Sequence, residues 1–445
     1  MGEEAALAKE KLDAGAAFVL VSKGTWLHAA YHLTTAIVGP AILSLPYAFA
    51  SLGWELGVLA LTMGALVTFY GYNLVSTLLE QADQRGQRHL RLGDLAVDIL
   101  GPKWSKYVVF PQMVISFGIV VGSNLLCGQG MLKIYENLVK DGDLKLYHFV
   151  MISASIMIIL SQLPSFHSLR YISLASALLS MGYSLGVVAA CIYAGHSKRA
   201  PPKDYSIVGS TSARVFHAFN GLSIMASTYG VSIIPEIQAT IASPVSGKMF
   251  KGLLLCYAVV VTTFFSVSIS GYWAFGNKAT GNLFDNFIPD DNTTLAPDWL
   301  LFLIILFIVI QLLAIAVVYS QPLFDVFETA LSDVKRPIFS FRNLLPRLAV
   351  RSLYIVLAAF LAAMLPFFGD LNAFIGAVGF LPLAFILPPV LYNIKCKPSP
   401  GTVVFWVNTA IIVVYGAMAV MGSVSSVRQI VLDAHKFKVF SNNTS

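Results

Sequence analysis

Thr34-Thr35-Ala36-Ile37-Val38-Gly39-Pro40-Ala41-Ile42-Leu43-Ser44-Leu45-Pro46 reads as an apolar helix with a fault at its centre. Pro40 brings no N–H and clashes with the preceding turn, while Gly39 permits torsions that other residues avoid. A second stretch repeats the design: Ser227-Thr228-Tyr229-Gly230-Val231-Ser232-Ile233-Ile234-Pro235-Glu236. Each stretch has a Gly followed by a Pro, with small hydroxyl residues nearby. Gly39 lies 13 residues after Trp26 and Gly230 lies 15 after Val215. At a rise of roughly 1.5 Å per residue, both sit ~20 Å deep in their apolar runs. Taken alone, either fault reads as a kink, because Gly and Pro are common in membrane helices. Two faults at matching depth read as paired unwinding.

The runs holding these faults belong to a chain built for lipid. Of its 445 residues, 57% are hydrophobic and 12% are charged. Soluble domains carry about a quarter charged residues, and the mean hydropathy of +0.74 agrees with lipid as solvent. A bilayer core of ~30 Å needs roughly 20 apolar residues in a helix. Eleven runs meet or approach that length: 26–49, 56–79, 107–132, 146–163, 171–195, 215–241, 252–275, 299–324, 348–368, 371–394 and 402–427. The last two of the first ten are separated by little more than Gly369-Asp370. Residues 1–25 are polar with mixed charge and hold no apolar stretch long enough for a cleavable signal. The four cysteines show no metal-ligand spacing and read as free thiols.

If the N-terminus is cytoplasmic, 18 of the 29 Lys and Arg residues fall on the cytoplasmic side and 11 on the other. The positive-inside rule therefore orients the N-terminal segment 1–25 inward and the tail 428–445 outward. The net charge of +6 is explained by those loops and not by a nucleic-acid patch. The sequon Asn292-Thr293-Thr294 falls in a non-cytoplasmic loop, which makes Asn292 a glycosylation candidate. Runs one to five cover 26–195 and runs six to ten cover 215–394. Five is an odd number, so the second set enters the membrane with opposite polarity. Two inverted five-helix repeats with one further helix, 402–427, is the plan of many secondary transporters. The fold class expected is thus an all-α integral membrane protein of about 11 transmembrane helices.

Unwinding exposes N–H groups at one half-helix N-terminus and carbonyls at the other half's C-terminus. The first suit a carboxylate, the second an ammonium or a small cation. Neither broken helix carries Asp, Glu, Lys or Arg near its midplane. Dipoles and hydroxyls alone favour a net-neutral zwitterion, and amino acids are such solutes. The candidate substrate site comprises Thr35, Val38, Gly39, Ala41, Ile42 and Leu43 in the first break, with Ser227, Thr228, Tyr229 and Gly230 in the second. The carboxylate is expected at the N–H groups around Ala41–Leu43, and the ammonium at the carbonyls of Thr35–Val38 and the hydroxyls of 227–229.

The run Gly39-Pro40-Ala41-Ile42-Leu43-Ser44-Leu45-Pro46-Tyr47-Ala48-Phe49 resembles the first-helix signature of the amino acid/auxin permease family. Pro235-Glu236-Ile237-Gln238-Ala239-Thr240-Ile241 is similar to the sixth-helix signature of its plant members. Leu163-Pro164-Ser165-Phe166-His167-Ser168-Leu169-Arg170, Gly271-Tyr272-Trp273-Ala274-Phe275-Gly276-Asn277 and Met364-Leu365-Pro366-Phe367-Phe368-Gly369-Asp370 resemble the plant GABA transporter branch. So do Phe18-Val19-Leu20 and Val431-Leu432-Asp433-Ala434, so the likeness spans essentially the whole chain. The resemblance implies a LeuT-type fold and proton-coupled uptake of GABA and related amino acids, proline among them, at the plasma membrane. Pro40 departs from the wider family, where a small residue often follows the glycine, and agrees with the GABA branch.

Glu236 is the most conspicuous acid within a run. Intramembrane carboxylates often serve proton relays or gates, but a helix-end acid facing loop basics fits equally. Counted as continuous helix from Val215, it lies ~30 Å along, at the cytoplasmic end. His28 and His32 share a helix face at the membrane entrance and read as interfacial, since two ligands make no metal site. No HExxH, phosphate-binding loop or nucleophile elbow is present, so neither an enzyme nor a cofactor is expected. Charge rings or a carbonyl filter, which would mark a channel, are also lacking. A broad-specificity, proline or lysine-histidine permease, or a transport-silent sensor, would share the same pattern.

Overall fold

The computed structural model describes residues 24–87, 89, 91–139, 142–162, 169–242, 245–289, 294–331, 340–365 and 367–436. Each of the eleven apolar runs coincides with helix. Eight helices among the described residues are long and apolar enough to cross a membrane by length and composition. Among those residues the only strand-like pairing is an isolated bridge between Gly24 and Ile241.

The first run is α1 (Trp26–Ile37), then a 3₁₀ turn (Pro40–Ser44), which leads straight into α2 (Leu45–Gln84). α2 contains the second run as well, because Gly53 (φ 79, ψ 176) turns the chain sharply without ending the helix assignment. Positive φ of this kind is cheap only for glycine. A short helix α3 (Leu92–Leu100) precedes α4 (Ser105–Leu138), α5 (Leu146–Ser161) and α6 (Leu169–His196). The second half begins with α7 (Thr211–Tyr229) and the short α8 (Ile234–Ala239), followed by α9 (Lys248–Phe275) and the loop helix α10 (Leu283–Phe287). α11 (Asp298–Leu331) and α12 (Phe341–Met364) come next. The tenth run is α13 (Phe368–Phe374), a π-helical stretch over Ile375–Ile386 and α14 (Leu387–Cys396). α15 (Val403–Lys436) closes the chain. α12 ends at Met364 and α13 begins at Phe368, so Gly369 and Asp370 fall inside the first turn of α13 and not between helices.

The packing repeats itself in matched pairs. α1 packs on α9 and α6, as α7 packs on α2 and the π segment. α11 crosses α6, as α4 crosses the π segment. α2 with α9, α4 with α11 and α5 with α12 pair across the two halves. Exchanging the halves thus maps the contacts onto one another, which is what an inverted five-plus-five repeat requires. The two broken helices lie at the centre of this arrangement. Leu33, Val38, Ile42, Leu43, Tyr229 and Val260 are fully or almost fully buried there. Leu56, Leu59 and Leu66 of α2, Ile159 of α5 and Val403 of α15 are exposed, as a lipid-facing surface demands.

On the membrane face where α1 begins, termed the near face here, Lys395 Nζ donates to Asp98 Oδ2 at 3.0 Å. This bond holds the Asp98 carboxyl below the usual carboxylate range. A depressed acid contributes stability above its unfolded pKa and loses it as pH falls through the folded one, hence only below about pH 4. The opposite face carries a ring cluster of Phe49, Trp54, Tyr205 and Tyr272, with Lys203 Nζ 3.6 Å from the Trp273 ring centre. Cys127, Cys191, Cys256 and Cys396 are free.

Candidate functional site

α1 ends at Val38 (φ −79, ψ 75), and the chain runs extended through Gly39 (φ −102, ψ 172) before Pro40 opens the 3₁₀ turn. Proline suits the start of a helix because its missing N–H is not needed there, and it pushes the preceding residue to extended torsions. The freed carbonyls find new donors. Ile37 O accepts from Gly39 N at 2.8 Å. Val38 O accepts from Gln311 Nε2 of α11 at 2.9 Å and from Tyr183 Oη of α6 at 3.3 Å. Ala36 O accepts from Tyr319 Oη of α11 at 3.3 Å.

The second break is held differently. α7 stops at Tyr229, Gly230 is extended (φ −70, ψ 132), and α8 starts at Ile234 with Pro235 in its first turn. Tyr72 of α2 spans the gap with one hydroxyl, which donates to Tyr229 O at 2.8 Å and accepts from Val231 N at 2.7 Å. That hydroxyl satisfies the last carbonyl of α7 and the N–H of Val231 in the unwound segment.

The two breaks are neighbours: the 3₁₀ turn packs against α7, and α8 packs against α1. Thr35, Val38, Ile42 and Leu43 are buried, whereas Gly39 and Ala41 are half-buried and open to space. Ile42 N donates to Gly39 O at 3.2 Å within the turn. Ser227 Oγ and Thr228 Oγ1 both donate to Ile224 O, at 2.7 and 2.8 Å, which leaves their oxygens as acceptors. The Tyr229 ring packs on Phe264 of α9, and a side chain added at Gly64 of α2 would strike it. Tyr229 therefore addresses α2 and α9.

Neither glycine is required for its torsions, contrary to the sequence expectation, since both are in extended regions open to any residue. Packing separates them instead. A Cβ at Gly39 would meet only Ile315 Cδ1 at 3.8 Å, but one at Gly230 would lie 2.2 Å from Phe380 Cγ. Glu236 is placed in the first turn of α8, just past the break and five residues from the end of its run. His28 Nδ1 caps α1 by accepting from Thr25 N at 2.9 Å. Asn292 lies outside the described residues, as do Phe18–Leu20 and 163–168.

The face opposite the near face is covered by the loop around α10. Ser44 Oγ donates to Gly281 O at 2.7 Å, and Asn372 Nδ2 donates to Ser44 Oγ at 3.1 Å. Asn282 Nδ2 reaches Gln129 Oε1 of α4 at 2.9 Å, and Lys133 Nζ donates to Ile288 O at 3.2 Å. One loop is thus tied to the first broken helix, to α4 and, through Ser44, to α13.

Sequence reasoning missed Tyr72, Tyr183 and Gln311. Gln311 carried a readable signal: it is the one polar residue between Trp299 and Val318. Such a residue in an apolar span needs a partner. Tyr72 and Tyr183 carried none, since tyrosines are common in these helices and nothing local marks what a hydroxyl will reach.

The family model described as "Transmembrane amino acid transporter protein" matches residues 22–430. "GABA transporter 1" of Arabidopsis thaliana is 52% identical over 436 residues, 98% of this chain and 97% of that protein. "Lysine histidine transporter-like 1" of the same organism is 32% identical, covering 94% of this chain and 90% of that one. Among solved structures, a Na+-coupled sialic acid symporter in a substrate-bound outward-open state superimposes with a TM-score of 0.51. At 11% identity, over 97% of this chain and 94% of that one, the likeness concerns the fold.

Proposed function

The chain belongs to the transmembrane amino acid transporter family, and within it we propose a proton-coupled symporter of GABA and related small zwitterionic amino acids. The 52% identity to GABA transporter 1 along nearly the whole length is the observation that carries this reading. The paired breaks support it, because they offer donors and acceptors but no fixed charge to a solute whose own charges cancel. The halves 26–195 and 215–394 would exchange access around the site, with 402–427 outside the repeat. The carboxylate is assigned to the N–H groups at Ala41–Leu43. The ammonium is assigned to the lone pairs of Ser227 and Thr228 beside the Thr35–Val38 segment, whose last three carbonyls already accept hydrogen bonds. No catalytic step and no cofactor enter this scheme.

A symported proton gains ~2.3 kcal/mol per 100 mV, enough for roughly fifty-fold accumulation. Labelled GABA uptake into proteoliposomes should carry inward positive current and rise as external pH falls. The Asp98–Lys395 bond releases only below about pH 4, so it adds nothing to a profile taken between pH 5 and 8. Glu236, in the first turn beyond the break, is the proposed proton-coupling or gating group. Glu236→Gln should flatten the pH dependence while GABA counterflow persists. Electroneutral uptake indifferent to pH, or a strict sodium requirement, would refute the proton assignment. The absence of both uptake and counterflow would favour a sensor.

The basic-residue asymmetry supports a cytoplasmic N-terminus and an outward C-terminus, and the likeness to the GABA transporter branch supports residence in the plasma membrane. Thr294→Cys should then react with an impermeant thiol reagent on intact cells, and Asn292 should accept a glycan. Labelling only after permeabilisation would reverse the topology.

A further inference from the structure

Gln311, Ile315 and Tyr319 follow one another at four-residue intervals and so form one stripe of α11. That stripe lies along the unwound strand of the first break. Tyr319 Oη holds Ala36 O, Ile315 Cδ1 is the one side-chain atom near the missing Cβ of Gly39, and Gln311 Nε2 holds Val38 O. The orientation of the Gln311 amide follows from chemistry, because only its NH2 group can face a carbonyl. Its oxygen must then point away from Val38. That oxygen is completely buried and accepts no hydrogen bond. A buried amide oxygen left unmatched in an apolar helix is costly, and such groups in native structures call for an explanation.

The surroundings supply one. Val38 O already has two donors, Gln311 Nε2 and Tyr183 Oη, so it is not available to a further positive group. Gln311 lies one turn before Ile315 on the same stripe of α11, and Ile315 Cδ1 borders the space at Gly39. An ammonium brings donors and a charge, and it would complete the Gln311 oxygen. We infer that Gln311 is a substrate-recognition residue, whose Oε1 accepts a hydrogen bond from the ammonium group of the bound amino acid while its Nε2 keeps the broken helix in shape. The inference rests on the transport reading above and adds a contact from α11 to a site assigned so far to the two broken helices.

Two ligands separate recognition from architecture. GABA and butyrate share the carboxylate and the carbon chain, but butyrate lacks the ammonium. Their inhibition constants would be measured on the purified full-length protein by competition against labelled GABA, in sodium and in choline buffers. In Gln311→Leu the preference for GABA over butyrate should fall by about tenfold or more, as losing a hydrogen bond to a charged group implies. Butyrate binding should hardly change. Gln311→Met, which keeps length and flexibility, should give the same pattern and serves if the leucine variant does not fold. Equal weakening of both ligands would mean that Gln311 only props up Val38, and it would overturn the inference. So would a response confined to sodium buffer, which would make the amide oxygen a metal-ion ligand. If the unmutated chain ignores GABA but binds another zwitterion, the GABA assignment falls. The same ratio, taken for that amino acid against its deaminated analogue, then decides the role of Gln311.

Discussion

Gly376→Ala is expected to remove most of the correctly folded protein from the membrane. A Cβ at this position would lie 1.8 Å from Ser223 O and 2.7 Å from Ser223 C. Both are backbone atoms of α7, so no rotamer change makes room. Overpacking with side-chain atoms costs typically ~1–3 kcal/mol, and a clash with backbone on both sides exceeds what repacking can absorb. Ser223 is pinned from the other side as well, because a Cβ at Gly422 of α15 would lie 2.3 Å from Ser223 Oγ. Small residues here let α7, the π segment and α15 approach closely, as membrane helices without hydrophobic drive must. Fluorescence-detected size exclusion of the tagged full-length protein is the measurement. Gly416→Ala is the control, since no atom lies within 4 Å of its added Cβ. A monodisperse peak of normal height for Gly376→Ala would show that the helices are not packed as described.

Gly230→Ala and Gly39→Ala should behave in opposite ways although the two glycines hold matching places. The added Cβ at Gly230 would sit 2.2 Å from Phe380 Cγ and 2.7 Å from Phe380 Cβ, the root of a buried ring that cannot swing aside. Phe380 would have to move with its backbone, pushing the π segment off the second break. Uptake should fall by more than about tenfold, the rate equivalent of 1.4 kcal/mol. Gly39→Ala places its methyl at ordinary contact distance from Ile315 Cδ1 in an extended conformation before proline. It should fold normally and keep most of its uptake. Gly39→Val would extend further into the same space and should raise KM at near-normal surface abundance. Equal loss in the two alanine variants would mean that the glycines are needed for their torsions after all.

The architecture was legible because lipid simplifies the code. Apolar run length placed the long helices, though not the short α3 and α10, and the Gly-Pro faults located both breaks to within a residue or two. Some boundaries were not legible. Gly53 joins two runs into one bent element, and no rule of composition distinguishes a glycine that turns from one that packs. Counting continuous rise puts Glu236 near the end of its run; it does lie five residues from that end, but the break also sets it in the first turn after the unwound segment. The residues that secure the breaks were the least legible. Tyr72, Tyr183 and Gln311 come from distant helices, and the backbone atoms they hold are unpaired only because the chain unwinds there. Long-range hydrogen bonds of this kind are set by packing, not by local pattern.

The break at 38–39 divides the first apolar run into unequal mechanical parts, and the elbow at Gly53 ties the outer one to the second run. Beyond the break, the 3₁₀ turn and the start of α2 continue through the bend into the rest of that helix, with no loop to absorb movement. Any displacement of this outer half must drag the second run along as one lever. The inner half, α1, is joined to that lever only by the extended peptide at 38–39, where rotation about a few bonds suffices. α1 is the part that can swing on a hinge while its outer neighbour stays in place. A load applied at the far end of the lever therefore reaches the site, whereas motion of α1 need not travel outward.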